Sequence, residues 1–324
     1  MPLNPACLGK TYPPLTTTVT RDAIQNYARA CNDDNPRYFD DNAAGGIVAP
    51  PMFAAVVTWL SVLTVMTDAE LHADLLRLLH SAQDMEFLAP IRPGDSITST
   101  AKIASIETHQ GGESMALELA ARNARGDIVN RTVFTSFIRG RRSSAPPVDS
   151  KAEPTIDRGA PLVTVAQTID LDQTSRYAAA SGDLNPIHVD AYVAKMAGLP
   201  GIIVHGLCTM AFTAKVIVDH LCAGDPSRLK RLAVRFSRPV FPGDTITTKV
   251  WPCDDHGRLP DADHDAPRSA ADRRSSADPN GLPSADRDEL RTTAETDRLR
   301  TYAYETCNPD GLAVIRDGFA RVSP

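Results

Sequence analysis

The sequence lacks an excess of basic charge. Its 34 Lys and Arg residues are outnumbered by 40 Asp and Glu residues, and the formal net charge at pH 7 is -6. Proteins that bind nucleic acid normally carry a clustered basic surface, so this balance argues against a nucleic-acid partner. An anionic ligand would have to be held by a few local cations.

Long apolar runs are missing as well. No stretch approaches the roughly 18 consecutive apolar residues of a membrane-spanning helix, so we expect no membrane segment. Residues 1–14 lack the basic start and apolar core of a signal peptide. The six cysteines are scattered without a Cys-x-x-Cys pair, which is typical of a reducing compartment. These absences predict a cytoplasmic protein.

What the sequence does contain is an internal repeat. Residues 27–40 align with residues 177–190, which places Asp33 opposite Asp183 at an offset of 150. Residues 90–97 align with residues 239–246 at nearly the same offset, and each block contains Pro-x-x-Pro-Gly-Asp. A length of 324 residues also suits two domains of roughly 150 residues. The chain is therefore predicted to be a duplication.

Each half predicts one long buried helix followed by strands. Apolar residues recur at three- and four-residue steps between the repeated blocks, as expected for a helix with an apolar face. This pattern is carried by Met52, Val56, Trp59, Leu60 and Leu63 in the first half, and by Leu207, Met210, Ala211, Ala214, Ile217, Val218 and Leu221 in the second. Strands are predicted at residues 96–103, 115–123, 128–138, 245–250, 301–307 and 312–322. A helix followed by an antiparallel sheet is an α+β order.

Two segments differ in composition from the rest. Residues 143–161 are rich in Ser, Pro and charge, and are predicted to link a first domain of residues 1–142 to a second of residues 162–324. Residues 254–298 contain almost no large apolar side chain and are predicted to be a disordered insert between two strands of the second domain.

A carboxylate and an imidazole, those of Asp183 and His188, lie five residues apart on either side of Asn185-Pro186. On an ideal helix this spacing would turn the two side chains about 140° apart. Asn-Pro favours a turn instead, and a turn can direct both groups into one pocket. There an acid and a base can activate a water molecule and deliver a proton.

His205-Gly206 stands at the predicted start of the second long helix. A helix start presents unpaired backbone N–H groups, which suit a carbonyl oxygen that gains negative charge. Glycine at this position would let a substrate approach closely. His205 itself could contact the substrate or satisfy a local hydrogen bond.

The second half resembles the MaoC-like or R-specific enoyl-CoA hydratase family, also called hydratase 2. The resemblance is carried by Ser-Gly-Asp-x-Asn-Pro-x-His-x-Asp at residues 181–190, Ala-Gly-Leu-Pro-Gly at 197–201 and His-Gly-Leu at 205–207. It implies a double hot-dog fold in which the first module is degenerate. In that module Tyr38 stands where the histidine would be, and Pro50-Pro51 replaces His205-Gly206.

The resemblance implies a hydro-lyase of fatty acid metabolism that adds water to trans-2-enoyl thioesters, giving (R)-3-hydroxyacyl thioesters, or runs the reverse. Asp183 and His188 would be catalytic, and Asn185, His205 and Gly206 would bind substrate. The chemistry implies no metal and no other cofactor. Coenzyme A or acyl carrier protein would carry the acyl group, the first module would shape the acyl tunnel, and a homodimer is compatible with this architecture.

Two other functions stay open on the residues alone. A hot-dog thioesterase typically places a carboxylate on the central helix, whereas the second long helix carries only Asp219, near its far end. A non-catalytic thioester-binding subunit of a hydratase complex would also fit the degenerate first half.

Overall fold

A computed structural model describes residues 1–43, 45–140, 158–254 and 299–324. Most of the predicted linker, residues 143–161, and nearly all of the predicted insert, residues 254–298, lie outside the described residues. The linker, the insert and the two domain boundaries therefore stay predictions.

The two halves contain the same elements in the same order. The first half comprises β1 (Leu15–Thr18), α1 (Arg21–Ala30), α2 (Ala54–Met66), β2 (Leu78–Phe87), β3 (Ser96–His109), β4 (Gly112–Arg122) and β5 (Ile128–Arg139). The second comprises β6 (Val163–Thr168), α3 (Gln173–Ser181), α4 (Ala191–Met196), α5 (Gly206–Leu221), β7 (Leu229–Phe236), β8 (Thr245–Cys253), β9 (Arg300–Cys307) and β10 (Ala313–Val322). Among the described residues of the first half, α4 has no counterpart.

All ten strands form one antiparallel sheet in the order β1-β3-β4-β5-β2-β7-β10-β9-β8-β6. The order is symmetric about its centre, where β2 pairs with β7 and Ala82 lies opposite Arg235. The two long helices, α2 and α5, pack on strands of this sheet. The predicted α+β class is confirmed, and so are the six predicted strands.

Among the described residues, the sequence patterns missed four strands: β1 and β6 at the edges of the sheet, and β2 and β7, which join the halves. Polar residues interrupt the apolar pattern of β2 and β7, and some of these polar residues are buried where the two strands pair. Asp84 on β2 and Arg231 on β7 have only 7% and 12% of their side chains exposed. The guanidinium donates to both carboxylate oxygens, at 2.8 Å from Nε and 2.6 Å from Nη2. A buried polar pair of this kind has no periodic signal in the sequence.

The helix predicted in the first half is confirmed, but its exposed face differs from the prediction. Leu60 and Leu63 are 53% and 40% exposed, whereas the helix buries Thr58, Ser61 and Val65. The buried polar side chains find partners: Ser61 Oγ lies 2.6 Å from Ser99 Oγ, and the Thr58 hydroxyl donates to the Ala54 carbonyl. The prediction of the buried face was wrong because it assumed that polar residues face solvent, whereas Thr58 and Ser61 are buried and form hydrogen bonds within the protein.

One hydrophobic core runs through both halves. It includes Tyr27 of α1 and Tyr177 of α3, whose ring centroids lie 5.7 Å apart, together with Phe53 and Phe212. None of the six cysteines, all within the described residues, forms a disulfide. Among the described residues, every helix is too short or too polar to cross a bilayer.

We expect Asp84→Ala to lower the free energy of unfolding by about 3–5 kcal/mol, because it leaves the buried Arg231 without this carboxylate. Urea unfolding measures the loss. Glu86→Ala is a matched control two residues along β2, since Glu86 is 25% exposed and lies 4.0 Å from Arg131. This control should cost less than about 1 kcal/mol. Equal losses in both variants would contradict the assigned importance of the central ion pair.

Candidate active site

A tight turn after α3 positions the predicted acid and imidazole. Helix α3 ends at Gly182, whose φ of 78° lies in the left-handed region that favours glycine. The backbone N–H of Asn185 then donates to Asp183 Oδ1 at 3.2 Å, and that of Ile187 donates to Asn185 Oδ1 at 3.3 Å. Pro186–His188 completes the bend as a single 3-10 turn. The segment is a turn, as predicted, and Asn185 orders it.

The structure brings Asp183, His188 and His205 together. Their side-chain ligand atoms all lie within 4.8 Å of one another. The rings of His188 and His205 stack with centroids 3.8 Å apart and an interplanar angle of 27°. Both rings are buried, at 8% and 1% exposure, and Asp183 is half-buried. Predicted site residues that are 22 positions apart in sequence thus lie in one cluster.

Backbone carbonyls select the hydrogen position on each ring. His188 Nδ1 lies 2.8 Å from the Ile203 carbonyl oxygen, and His205 Nε2 lies 3.1 Å from the Asp183 carbonyl oxygen. Since a carbonyl oxygen can only accept, each of these nitrogens donates and the opposite nitrogen of a neutral ring keeps a lone pair. His205 Nδ1 is buried and has no hydrogen-bond partner among the described residues. The pocket therefore offers imidazole acceptors to a water molecule or a substrate hydroxyl.

Burial governs the protonation of these groups. It raises the pKa of Asp183 and lowers that of His188, while the attraction between the two opposes both shifts. Burial and the neighbouring His188 lower the pKa of His205 to about 3. His205 is therefore neutral near pH 7. The carboxylate of Asp183 favours the charged form of the His188 imidazole.

The start of α5 supplies a different kind of group. Gly206 is its first residue, and the preceding His205 makes no side-chain cap. The first backbone N–H groups of a helix have no carbonyl one turn earlier, and they point out of its start. A Cβ on Gly206 would lie 3.2 Å from the Phe236 ring. Glycine therefore keeps the space between the helix start and the end of β7 free.

The same three side chains could be considered as metal ligands, because a carboxylate and two imidazoles are common zinc ligands. Zinc must lie in the plane of each ring, about 2 Å from its nitrogen. The rings of His188 and His205 are stacked 3.8 Å apart and inclined by only 27°, so their planes meet well beyond about 2 Å from the ring nitrogens. One zinc ion therefore cannot lie in both planes at a bonding distance. The geometry favours hydrogen bonding to a substrate over metal coordination.

The first half contains an altered copy of this pocket. Asp33 is 7% exposed, and Lys215 of α5 places its Nζ 3.6 Å from Asp33 Oδ1 and 2.8 Å from Asp34 Oδ1. Burial nevertheless raises the pKa of Asp33 to about 6. Tyr38 replaces the histidine, and its buried hydroxyl has no hydrogen-bond partner among the described residues. Pro51 removes one N–H donor from the helix start. This pocket has lost the imidazole and gained a cation.

Charged residues at the first pocket correspond to apolar residues at the second. Helices α2 and α5 end at Met66 and Leu221, an offset of 155, so Leu60 is the counterpart of Lys215. Leu184 is likewise the counterpart of Asp34 in the repeated block. Leu60 and Leu184 are 53% and 69% exposed. The carboxylate of Asp183 therefore has no lysine beside it.

Sequence reasoning missed three residues around these pockets: Lys215, Trp59 and Phe236. Trp59 Nε1 donates to the Gly182 carbonyl at 3.0 Å, so the first half supports the turn that carries Asp183. Aligning the two halves would have shown that Leu60 and Lys215 differ. It would not have shown which turn each helix faces, because that depends on how the halves pair.

Two family models and several known proteins match this chain. A family model described as "MaoC like domain" matches residues 154–260, and one described as "FAS1-like, dehydratase domain region" matches residues 6–132. A probable enoyl-CoA hydratase 2 from Dictyostelium discoideum is 33% identical over 55% of this chain and 62% of its own length. The peroxisomal enoyl-CoA hydratase 2 of Arabidopsis thaliana is 32% identical over 62% of this chain and 68% of its own length.

This chain belongs to the MaoC-like enoyl-CoA hydratase 2 family. Solved structures confirm the fold of this MaoC-like protein. A MaoC-like dehydratase from Phytophthora capsici is similar with a TM-score of 0.71 and 20% identity, covering 98% of this chain and 96% of that one. A Mycobacterium tuberculosis protein described as a double hot-dog has a TM-score of 0.59 and 10% identity, with coverages of 98% and 96%. The predicted double hot-dog fold is confirmed.

The low pKa of His205 predicts a pH-dependent stability. Between about pH 3 and pH 6.5 the unfolded chain would bind a proton at this position that the folded MaoC-like protein does not. Stability should therefore fall as the pH drops below 6.5, by up to about 1.4 kcal/mol per pH unit from this group. His205→Asn should flatten the slope of unfolding free energy between pH 6 and pH 4.5, measured by urea titration.

His220→Asn is the matched control on the same helix, because the side chain of His220 is exposed. It should keep the slope of the unsubstituted protein. A slope that His205→Asn leaves unchanged would show that His205 is protonated in the folded state.

Proposed function

We propose that this protein is a hydro-lyase that adds water to trans-2-enoyl thioesters to give (R)-3-hydroxyacyl thioesters, or catalyses the reverse dehydration. The observation that carries the proposal is the clustering of Asp183, His188 and His205 beside the start of α5. The names of the Dictyostelium and Arabidopsis relatives support it, although the matched segments span 62% and 68% of those proteins.

In the proposed mechanism, Asp183 and the lone pair on His188 Nε2 hold the attacking water. One O–H bond of the water breaks, its oxygen bonds to C3 of the enoyl group, and the proton passes to this pair. The pair then delivers a proton to C2, so that one water is added across the double bond. Positioned acid and base groups of this kind typically contribute a factor of roughly 10² to 10⁴.

The thioester oxygen gains negative charge while C2 awaits its proton. We assign its stabilisation to the backbone N–H groups at the start of α5, with Gly206 leaving room for the thioester. Such a donor is commonly worth about 3–4 kcal/mol in the transition state. His205 Nδ1, which lacks a hydrogen-bond partner among the described residues, would accept a hydrogen bond from the water or from the 3-hydroxyl of the product. Asn185 would act by holding the turn.

The carrier and the cellular setting are also part of the proposal. The reaction transfers neither electrons nor a group to a cofactor, so coenzyme A or acyl carrier protein is needed only to carry the acyl chain. A cytoplasmic location stays a prediction, since one relative is named as peroxisomal. A homodimer also stays a prediction.

A thioesterase is the less favoured alternative. The acid on α5, Asp219, lies near the far end of the helix and pairs with Lys215 at 3.0 Å. It is therefore held away from the Gly206 end of the helix. A non-catalytic thioester-binding subunit is the other alternative. Such a subunit would not require His188 and His205 each to donate one ring N–H to a backbone carbonyl and keep the other nitrogen as an acceptor.

We expect Asp183→Asn and His188→Gln each to lower kcat/KM for hydration of crotonyl-CoA and longer enoyl-CoAs by roughly 10² to 10⁴. The measurement is the loss of enoyl thioester absorbance. Asp33→Asn and Tyr38→Phe make the matched changes in the altered pocket of the first half. Both controls should stay within about threefold of the unsubstituted enzyme, because no imidazole adjoins Asp33 there.

Product analysis distinguishes the alternatives. Release of free thiol from the thioesters would favour a thioesterase. Binding of acyl-CoA with no turnover at any chain length would favour a non-catalytic subunit. An equal loss of activity in the Asp33 and Asp183 variants would contradict a single active site.

Gly206→Ala should lower kcat/KM by about 10- to 100-fold, since a displacement of about 1 Å at the reacting groups has an effect of that size. The added methyl group would press on the Phe236 ring 3.2 Å away. Gly201→Ala is the control, because a Cβ there meets nothing within 4 Å. Full activity in Gly206→Ala would show that the thioester does not pass beside this residue.

A further inference from the structure

A cavity opens beside α2 of the first half. Its empty space, counted together with the open solvent at its mouth, is about 530 Å³. Its walls are mostly apolar and include Val48, Ala54, Phe87, Ala89, Ile91 and Val129. At the rim lie Ser227 and Lys230, which belong to the second half. A cavity with apolar walls and a few polar groups is the usual form of a small-molecule site.

The internal duplication shows what this cavity corresponds to. Pro51 of its wall is the counterpart of Gly206, at the offset of 155 that also relates the ends of α2 and α5. Phe87 ends β2 as Phe236 ends β7. The cavity, here called the first-half slot, is therefore the counterpart of the space beside Gly206.

The first-half slot is separate from the active-site pocket. His80 on β2 packs near Phe236, with ring centroids 4.8 Å apart, whereas Phe87 on the same strand lines the slot. Seven residues of extended strand span roughly 23 Å. A ligand in this slot would not occupy the space around Asp183.

Chemistry in the first-half slot is blocked by two prolines. Pro50 and Pro51 line the slot and also line a smaller cavity that contains Asp33, Tyr38 and Lys215. They therefore separate a ligand in the slot from the carboxylate. Pro51 also has no N–H to polarise a carbonyl group. A thioester could bind here without reacting.

Charge at the rim indicates the kind of ligand. Lys230 is half-buried, and no carboxylate pairs with it among the residues that the structure describes. The carboxylate of Asp225 accepts from Ser227. The corner therefore complements an anion.

We propose that the first-half slot is a non-catalytic binding site for a fatty acyl chain that carries an anionic head group. The apolar walls hold the chain, and Lys230 faces the anion. The anion could be the phosphates of coenzyme A or the carboxylate of a free fatty acid. The retained slot then gives each chain a second acyl site, and this does not depend on the reaction proposed for the second half.

The test counts bound lauroyl-CoA, a saturated thioester that cannot be hydrated, by isothermal titration calorimetry on the full chain. Ala89→Trp should remove one bound ligand per chain relative to the unsubstituted protein, because the indole fills the slot. Leu88→Trp is the matched control, since Leu88 is 38% exposed and lies outside the slot. Lys230→Glu should weaken binding at the same site by at least about tenfold through charge reversal.

Dodecanoate in place of lauroyl-CoA distinguishes the two head groups. If both ligands bind and Ala89→Trp abolishes the binding of each, the slot accepts anionic head groups in general. If only the thioester binds, the head group is coenzyme A. The proposal is overturned if Ala89→Trp and Lys230→Glu bind as much lauroyl-CoA as the unsubstituted protein, with unchanged affinities.

Hydration of crotonyl-CoA by the same variants separates this proposal from the proposed function. Ala89→Trp should retain the activity of the unsubstituted enzyme. A loss of hydration in this variant would overturn a separate site and make the slot part of the active site. If the unsubstituted protein does not hydrate crotonyl-CoA, the proposed function is wrong. The number of bound ligands would still test whether the first-half slot binds an acyl chain.

Discussion

The antiparallel pairing of β2 with β7 is the constraint on which the rest of the structure depends. It joins two five-stranded halves into one sheet and fixes them in a symmetric order. The buried pair of Asp84 and Arg231 lies across this junction. As a result, each long helix reaches the turn of the other half: Trp59 meets Gly182, and Lys215 meets Asp33. Each pocket is therefore built from both halves.

The two halves share a backbone arrangement, but different side chains lie beside the carboxylate in each pocket. In the first, a lysine lies beside Asp33, and Tyr38 contributes a hydroxyl without a hydrogen-bond partner among the described residues. In the second, Asp183 is accompanied by two stacked imidazoles. Burial raises the pKa of both carboxylates; Lys215 opposes this shift at Asp33, whereas the carboxylate of Asp183 lies beside an imidazole with which it can exchange a proton. A few side-chain differences thus distinguish the two pockets.

Loss of reactivity in the first half did not remove its ligand-sized space. The prolines that replace His205-Gly206 lie between this cavity and Asp33, and the apolar cavity on their outer side is open to solvent. Its retention, next to a half-buried lysine at the rim, is the physical basis for assigning it a ligand.

The sequence by itself determined the duplication, the α+β class, six strands, both long helices and the turn that carries Asp183 and His188. These features are local: turn residues and apolar periodicity act over a few positions. The sequence did not reveal β2 and β7, whose polar residues become acceptable only when Asp84 and Arg231 meet across the sheet. Nor did it reveal Lys215 beside Asp33, or His205 stacked on His188. Only tertiary structure decided these contacts, because they join segments distant in the chain, and no local pattern specifies which segments will meet.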